Sequence, residues 1–452
     1  MSNELTNTAA GRSGTWLTKW LPEDTAFWES EGKSRAWRTL WITTANLIMA
    51  FIAWFLVSAL VVRLPNVGFQ LSVDQMFWLT AMPGLAGGTL RLIHNFLTPI
   101  YGTRHVVSLS TLSLLLPLIG WVYLVQDPTT PFWLLMLFAF FAGLGGGNFS
   151  SFMPSTSLFF PKRLQGTALA IQAGIGNLGV SVVQFVTPWI IGFAFFGTLA
   201  GAPQVFTKGD VVKDIWLQNA ALVYVPFVAV FGVLAWLTLK SVPVRANFAQ
   251  QFDIYKNKHT WFMTSLYIMT FGSFAGFSAT FPLLIKQLYG GLEGAPDPLA
   301  YAFYGPLIGS VMRIVAGPLS DKWGGARVTQ ISAIGLIVSV IAVTFFTAPT
   351  SMESFPAFVG CMLAVFFFTG VGNASTFKQM PMIFEPRQAG GVIGFTGAIA
   401  AYGPLIVSLL IGAAISKFGS VNYFFYLAAI FYGANLLINW WYYARAGAEV
   451  KC

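Results

Sequence analysis

Apolar residues in this chain occur in long runs that are separated by short polar segments. Each run approaches or exceeds the roughly 20 residues that a helix needs to cross a bilayer. The pattern predicts an all-α membrane protein with twelve transmembrane helices. The predicted runs are 39–62, 75–98, 105–125, 131–152, 166–198, 218–240, 261–285, 298–318, 328–348, 355–377, 390–415 and 421–444.

The polar segments divide the chain into a predicted order of parts. Residues 1–38 form a polar tail, and 39–240 hold the first six helices. The longest interior polar stretch, 241–260, is the predicted linker. The last six helices lie in 261–445, and 446–452 form a second tail.

The two halves carry matching residues. Arg91 in the second run and Arg313 in the eighth are separated by the same number of residues as Gly102 and Gly324. A duplicated arrangement of six plus six helices, with a substrate site between the halves near the middle of the membrane, is common among secondary transporters. The repeat therefore predicts two pseudo-symmetric six-helix halves around a shared site.

The composition excludes several classes of protein. Hydrophobic residues make up 56% of the 452 residues and charged residues only 9%, against about a quarter charged in soluble domains. A soluble enzyme and a nucleic-acid binder are therefore excluded, and neither nucleic acid nor a cofactor is expected as a partner. The only two cysteines, Cys361 and Cys452, predict neither a disulfide nor a metal site.

The net charge of +9 arises from lysine and arginine that concentrate in alternate loops. Such an excess marks the cytoplasmic side of a membrane protein. Both termini are therefore predicted to be cytoplasmic. The predicted outer loops hold only five basic residues, namely Arg63, Lys208, Lys213, Lys286 and Lys417.

Arg91 and Arg313 lie well inside apolar runs, and Lys378 lies nearer a helix end. A charge at the centre of a bilayer costs about 2.5–3.5 kcal/mol on insertion scales, so it needs a counter-charge. The acidic residues lie in loops or at the ends of runs. Two related arginines without resident counter-ions predict a diffusible anion as the substrate, and a structural ion pair is the alternative.

The residue types around the arginines indicate what kind of anion would bind. Guanidinium is planar, permanently charged and suited to in-plane hydrogen bonds with a flat oxyanion. Aromatic side chains on the candidate helices would narrow a cavity around a small flat ligand, although plain core packing is an equal alternative for them. These aromatic residues are Phe51, Phe149, Tyr267, Phe271 and Phe377.

Three polar residues complete the candidate set. Asn177 lies among the glycines of the fifth run, where its amide would present a donor and an acceptor to the cavity. His94 follows Arg91 by about one helical turn and could take up a proton when an anion arrives, although a packing histidine is the stronger interpretation. Glu385 is a second, weaker candidate for proton coupling.

Several motifs resemble those of known transporters. The segment GPLSDKWGGAR resembles the loop signature of the major facilitator superfamily. In that family the loop forms a cytoplasmic charge latch, which the resemblance assigns here to Asp321, Lys322 and Arg327. The fold that this implies is two six-helix halves joined by a central loop.

Two further segments narrow the resemblance to the nitrate/nitrite porters. They are GLGGGNFSSFMPSTSLFFPKRLQGTALAIQAGIGNLGVS and GVGNASTFKQMPMIFEPRQAGG, and the likeness extends over nearly the whole chain. The resemblance implies that Arg91 and Arg313 clamp nitrate or nitrite. It also places around the anion the same five aromatic residues, together with Asn177.

The resemblance leaves the coupling open. The short segment between the tenth and eleventh helices and the letters PSTS resemble the branch proposed to co-transport protons, whereas PEDTAFW resembles the exchangers. We therefore expect nitrate import by alternating access, through nitrate/nitrite exchange or proton symport. A porter for another small anion is the alternative. The expected setting is the bacterial cytoplasmic (inner) membrane, with a monomer as the functional unit.

Overall fold

The computed structural model describes residues 14–242 and 253–452. Part of the predicted N-terminal tail and part of the predicted linker therefore lie outside the described residues.

Within the described ranges, eleven helical segments are long and apolar enough to cross a membrane. One of them, Val73–Leu124, has 52 residues and corresponds to two predicted helices. The prediction of twelve helices is thereby confirmed. The helices are α1 (Thr25–Leu60), α2 (73–101), α3 (103–124), α4 (Phe132–Ser157), α5 (Lys162–Ile190), α6 (Asn219–Thr238), α7 (Lys258–Tyr289), α8 (Leu299–Trp323), α9 (Gly325–Phe346), α10 (Met352–Ile383), α11 (Pro386–Ala400 with Gly403–Phe418) and α12 (Asn422–Ala444).

Two glycines reverse the direction of the chain at equivalent positions in the two halves. A straight helix of 52 residues would be about 78 Å long, more than twice the thickness of a bilayer core. Gly102 breaks it with φ 80° and ψ 159°, and Gly324 between α8 and α9 has φ 89° and ψ 136°. Positive φ values cost glycine little because it has no Cβ. The sequence repeat thus reappears as a repeat of backbone geometry.

The termini share one side of the molecule, which we call the terminal face. The backbone N–H of Leu17 donates to the carbonyl of Ser241 at 2.9 Å, at the end of the first half. At the other end of the chain, the carbonyl of Cys452 accepts from the N–H of Ala326 at 3.4 Å, beside the Gly324 corner. A terminal segment of the chain is thus hydrogen-bonded to each half on the same face.

A β-hairpin lies on the opposite face, between α5 and α6. Strands β1 (Gln204–Lys208) and β2 (Val211–Ile215) pair antiparallel. The sequence-based prediction of helices alone did not include it. Its β-branched residues on either side of Gly209 favour a hairpin, a signal that a search for apolar runs does not register.

Helices α1 and α7 lie in the interior, where 78% and 94% of the residues in their most apolar stretches are buried. The halves meet through α2 against α11 and α5 against α8. Glycines allow this approach, since a Cβ on Gly84 would overlap Pro404 and one on Gly174 would overlap Ile314. The candidate site lies among these central helices.

Candidate functional site

Arg91 on α2 is fully buried and held by backbone carbonyl oxygens from both halves. Its Nε donates to the carbonyl oxygen of Gly146 on α4 at 2.8 Å, and its Nη1 donates to that of Gly397 on α11 at 2.8 Å. Its Nη2 is buried and has no hydrogen-bond partner in the described part of the chain. Arg91 therefore has a fixed orientation, and its Nη2 remains available as a hydrogen-bond donor to a ligand.

Arg313 on α8 is held more loosely. Its Nη2 donates to the hydroxyl of Tyr267 at 3.4 Å, and its Nη1 is buried without a partner among the described residues. The guanidinium carbon lies 5.1 Å from the centre of the Phe377 ring, a favourable cation–π distance. The side chain has fewer fixed contacts than Arg91 and can adjust its position more easily.

The ring of Phe271 connects the two arginines. Its centroid lies 5.0 Å from the guanidinium carbon of Arg91 and 6.0 Å from that of Arg313. Phe271 belongs to a π-helical turn, Ile268–Gly272, in the middle of α7. Such turns are rare and frequently occur at functional sites. The structure thus places both arginines, one from each half, beside the ring of Phe271.

The other predicted aromatic residues surround this ring. Tyr267 stacks on Phe271 at 5.4 Å with an interplanar angle of 9°, and Phe149 stacks on it at 6.3 Å. Phe377 contacts Tyr267 at 5.2 Å, and Phe51 contacts Phe149 at 6.3 Å. The five aromatic residues therefore form a continuous cluster, and its rings make cation–π contacts with both arginines.

Two asparagines, one from each half, carry amides that are unsatisfied among the described residues. Asn177 on α5 and Asn373 on α10 are fully buried, and neither the amide oxygen nor the amide nitrogen of either has a partner within the described ranges. A buried polar group without a hydrogen bond costs about 1–3 kcal/mol. Groups left in this state are typical of a site that receives a polar ligand.

Carboxylates do not neutralise the arginines. Within residues 14–242 and 253–452, neither Arg91 nor Arg313 forms an ion pair with an acidic residue. Those ranges place the paired acids at the membrane faces, namely Glu29, Asp297, Asp321 and Glu449. The arrangement offers two positive charges, unused donors and flat apolar walls, which together suit a small anion.

The two proton-coupling candidates occupy different surroundings. His94 is buried on α2, and its Nδ1 shares a hydrogen bond of 2.9 Å with the hydroxyl of Ser151. Glu385 is exposed and precedes the first residue of α11. Neither residue forms part of the aromatic cluster.

The predicted latch residues lie together at the terminal face. Asp321 pairs with Nζ of Lys378 on α10 at 2.5 Å, while Lys322 and Arg327 are exposed. The paired side chains are 62% and 41% exposed, so this ion pair contributes no more than about 1 kcal/mol. A contact this weak can form and break during a conformational change.

Sequence reasoning did not include two side chains of the site. Trp54 on α1 lies 5.2 Å from the guanidinium carbon of Arg91 and donates its indole N–H to the carbonyl of Pro83. Asn373 falls at a position that repeats Asn148 of the first half, a correspondence in the sequence that the candidate set did not use. Nothing in the sequence distinguishes Trp54 from the other tryptophans.

The comparisons with known proteins decide the family. The chain matches the family model described as Major Facilitator Superfamily over residues 42–377 and again over 307–451. It is 64% identical over 440 residues to the "Probable nitrate/nitrite antiporter NarK2" of Thermus thermophilus, covering 97% of this chain and 99% of the relative. The chain belongs to the nitrate/nitrite porter family of the major facilitator superfamily.

A second relative and a solved structure agree with this assignment. The porter is 38% identical over 457 residues to the "Nitrate/nitrite transporter NarU" of Escherichia coli (strain K12), covering 95% of this chain and 96% of the relative. The solved structure of a D-xylose-proton symporter matches it with a TM-score of 0.66 at 14% identity, over 90% of this chain and 97% of the other. The predicted family and fold are therefore confirmed.

Proposed function

We propose that this porter carries nitrate and nitrite across the membrane and that Arg91 and Arg313 clamp the anion. Both relatives described above are named for nitrate and nitrite, which supports these ions as substrates. The observation that carries the proposal is a pair of buried guanidinium nitrogens, one from each half, that have no partner in the described residues and lie beside one phenylalanine ring. A planar monoanion supplies the acceptor oxygens that these donors lack.

The two arginines have different tasks in this proposal. The carbonyls of Gly146 and Gly397 fix Arg91, so its free Nη2 presents a preset donor to the anion. Arg313 has only the hydroxyl of Tyr267 as a hydrogen-bond partner in the described chain and follows the anion as the halves move. Asn177 and Asn373 supply neutral hydrogen bonds, and the aromatic cluster limits the space to a small, flat ion.

Anion exchange follows from the electrostatics of the clamp. Two guanidinium groups repel each other at low dielectric, so closing the halves around an empty site is costly. A bound monoanion lies between the charges and lowers that cost. The loaded porter therefore reorients faster than the empty one, and nitrate enters as nitrite leaves.

The distribution of basic residues sets the proposed orientation. The terminal face carries the larger share of lysine and arginine, which supports a cytoplasmic location for this face. We place the porter in a bacterial cytoplasmic membrane with both termini inside. Each molecule holds a complete clamp, so a monomer suffices for transport.

Proton symport remains the alternative coupling mode, with His94 or Glu385 as the titrating group. A liposome experiment separates the two modes. Purified porter is reconstituted with a pH-sensitive dye inside, and external nitrate is added with or without internal nitrite. We expect uptake that requires internal nitrite and leaves the internal pH unchanged. Internal acidification without nitrite would instead establish symport, and no flux in either condition would reject the proposed function.

Asn177→Leu should weaken nitrate binding without lowering the stability of the porter. Leucine has the same number of side-chain heavy atoms and the same branch point, and it removes two unsatisfied polar atoms. Replacing unpaired polar groups by apolar ones of similar shape is nearly neutral or stabilising. We expect an unchanged or higher Tm together with weaker nitrate binding, measured by thermal unfolding in detergent and by the KM of uptake.

Asn439→Leu is the matched control for this substitution. The Asn439 amide nitrogen donates to the carbonyl of Ala326 at 2.8 Å and to Oε1 of Gln330 at 2.6 Å. The same replacement there should destabilise the protein by about 1–3 kcal/mol because it leaves acceptors unpaired. An equal loss of Tm in both variants would contradict the role given to Asn177.

A further inference from the structure

Three basic residues meet on the face opposite the termini, and we call them the outer cationic cluster. Arg63 follows the end of α1, Lys208 ends strand β1, and Lys286 lies in the last turn of α7. Lys286 donates to the carbonyl of the residue before Arg63, and Lys208 donates to a carbonyl two residues from the acid that pairs with Arg63. Three like charges in partly buried positions require an explanation, because the clamp does not use them.

Each side-chain hydrogen bond that the structure gives the cluster joins one half to the other. Arg63 of the first half pairs with Asp297 of the second. Lys208 of the first half donates to the carbonyl of Ala295 in the second at 2.9 Å. Lys286 of the second half donates to the carbonyl of Val62 at 2.5 Å and to Oδ1 of Asn66 at 3.0 Å, both in the first half.

The cluster is short of negative charge. Asp297 is its one paired acid among the described residues, and the other acceptors are neutral oxygens. Asp214 pairs with Val205 across the hairpin, whereas Lys208 pairs with Val211. Alternate residues of a strand point to opposite faces, so Asp214 lies on the other face of the hairpin from Lys208. Asp210 and Glu293 are exposed.

One atom of the cluster already lacks an acceptor. Nε of Arg63 is buried without a hydrogen-bond partner in the described residues, in a side chain that is 10% exposed. Separation of the halves at this face would remove the acceptors of all three cations together. Arg63 and Lys208 would then remain on one side of the opening and Lys286 on the other.

We propose that the outer cationic cluster is a gate that becomes an entry site for small monoanions when the halves part. The inference rests on the proposed nitrate transport, because it needs an anionic substrate that arrives from this face. The anion replaces the acceptor oxygens that opening withdraws, so an arriving substrate stabilises the open gate. It then moves inward to the arginines of the clamp.

The test makes the same substitution at lysines inside and outside the cluster. Lys286→Gln and Lys208→Gln each remove a charge and keep a hydrogen-bond donor. Lys417→Gln makes the same change at an exposed residue at the end of α11, on the same face and outside the cluster. Right-side-out membrane vesicles are loaded with nitrite, and the initial rate of nitrate uptake is measured against external nitrate at low and high ionic strength.

We expect each cluster variant to raise the KM for external nitrate about three- to tenfold at low ionic strength. This is the change in affinity expected from the loss of one positive charge a few ångströms from the anion in water. The maximal rate should change less, and salt should narrow the difference from the unsubstituted porter. Lys417→Gln should leave KM unchanged. Normal KM values in both cluster variants, or equal shifts in all three, would overturn the entry site while leaving nitrate transport intact. Failure of the unsubstituted porter to take up nitrate would instead reject the proposed function.

Discussion

Arg313→Lys should lower nitrate affinity about 10- to 100-fold, because a hydrogen bond to a charged group contributes about 1.5–3 kcal/mol. Lysine keeps the positive charge but has no planar fork with which to contact Tyr267 and the anion at the same time. The expected result is a correspondingly higher KM for uptake into proteoliposomes. Because Arg313 makes few contacts with the protein, the folded state should be affected little.

Arg38→Lys supplies the control for this prediction, since Arg38 is an exposed residue near the start of α1. Its transport should be unchanged, and the Tm of both variants should match that of the unsubstituted porter. Arg91→Lys should also weaken nitrate uptake, but it removes the bonds to Gly146 and Gly397 and should therefore lower Tm as well. Undiminished nitrate uptake by Arg313→Lys would disprove the clamp.

Gly370→Ala should have the largest effect on stability among small substitutions in α10. An added Cβ would lie well inside the van der Waals contact distance from the Gly309 carbonyl oxygen on α8. Backbone atoms cannot rotate away as a side chain can, so α8 and α10 must separate. Overpacking of this kind costs about 1–3 kcal/mol. The measurement is thermal unfolding of the purified porter in detergent.

Gly360→Ala tests the same change on the same helix in open space, where an added Cβ meets nothing within 4 Å. Alanine forms helices better than glycine by about 1 kcal/mol, so this variant should match or exceed the original Tm. The difference between the two variants therefore isolates the contact with Gly309. Equal Tm values would show that α8 and α10 are not packed as closely as the structure has them.

Buried charge without a protein counter-ion distinguishes this site from an ordinary core. Many structural arginines inside membrane proteins pair with an acid, and such pairs make poor binding sites because the ligand must displace the acid. Arg91 instead donates to two carbonyl oxygens, which carry partial charge and leave the guanidinium net positive. That arrangement keeps the arginine oriented and still attractive to an anion.

The sequence alone was sufficient to predict the helices, the repeat and the chemistry of the substrate. Twelve apolar runs predict twelve crossings because the thickness of the bilayer fixes the length of each helix. The placement of Arg91 and Arg313 within such runs, away from acidic residues, indicated an anion before any contact was known. The hairpin at residues 204–215 was missed because a search for apolar runs does not register the β-branched residues around Gly209.

Only the tertiary structure decided which groups meet. Phe271 contacts both arginines because a π-helical turn in α7 sets its position, and no propensity of these residues predicts that turn. The carbonyl oxygens of Gly146 and Gly397 and the Lys378 partner of Asp321 are likewise invisible in sequence. The physical reason is that hydropathy and charge are properties of single residues and of their order along the chain. Hydrogen bonds and ring contacts depend on how helices distant in sequence pack together.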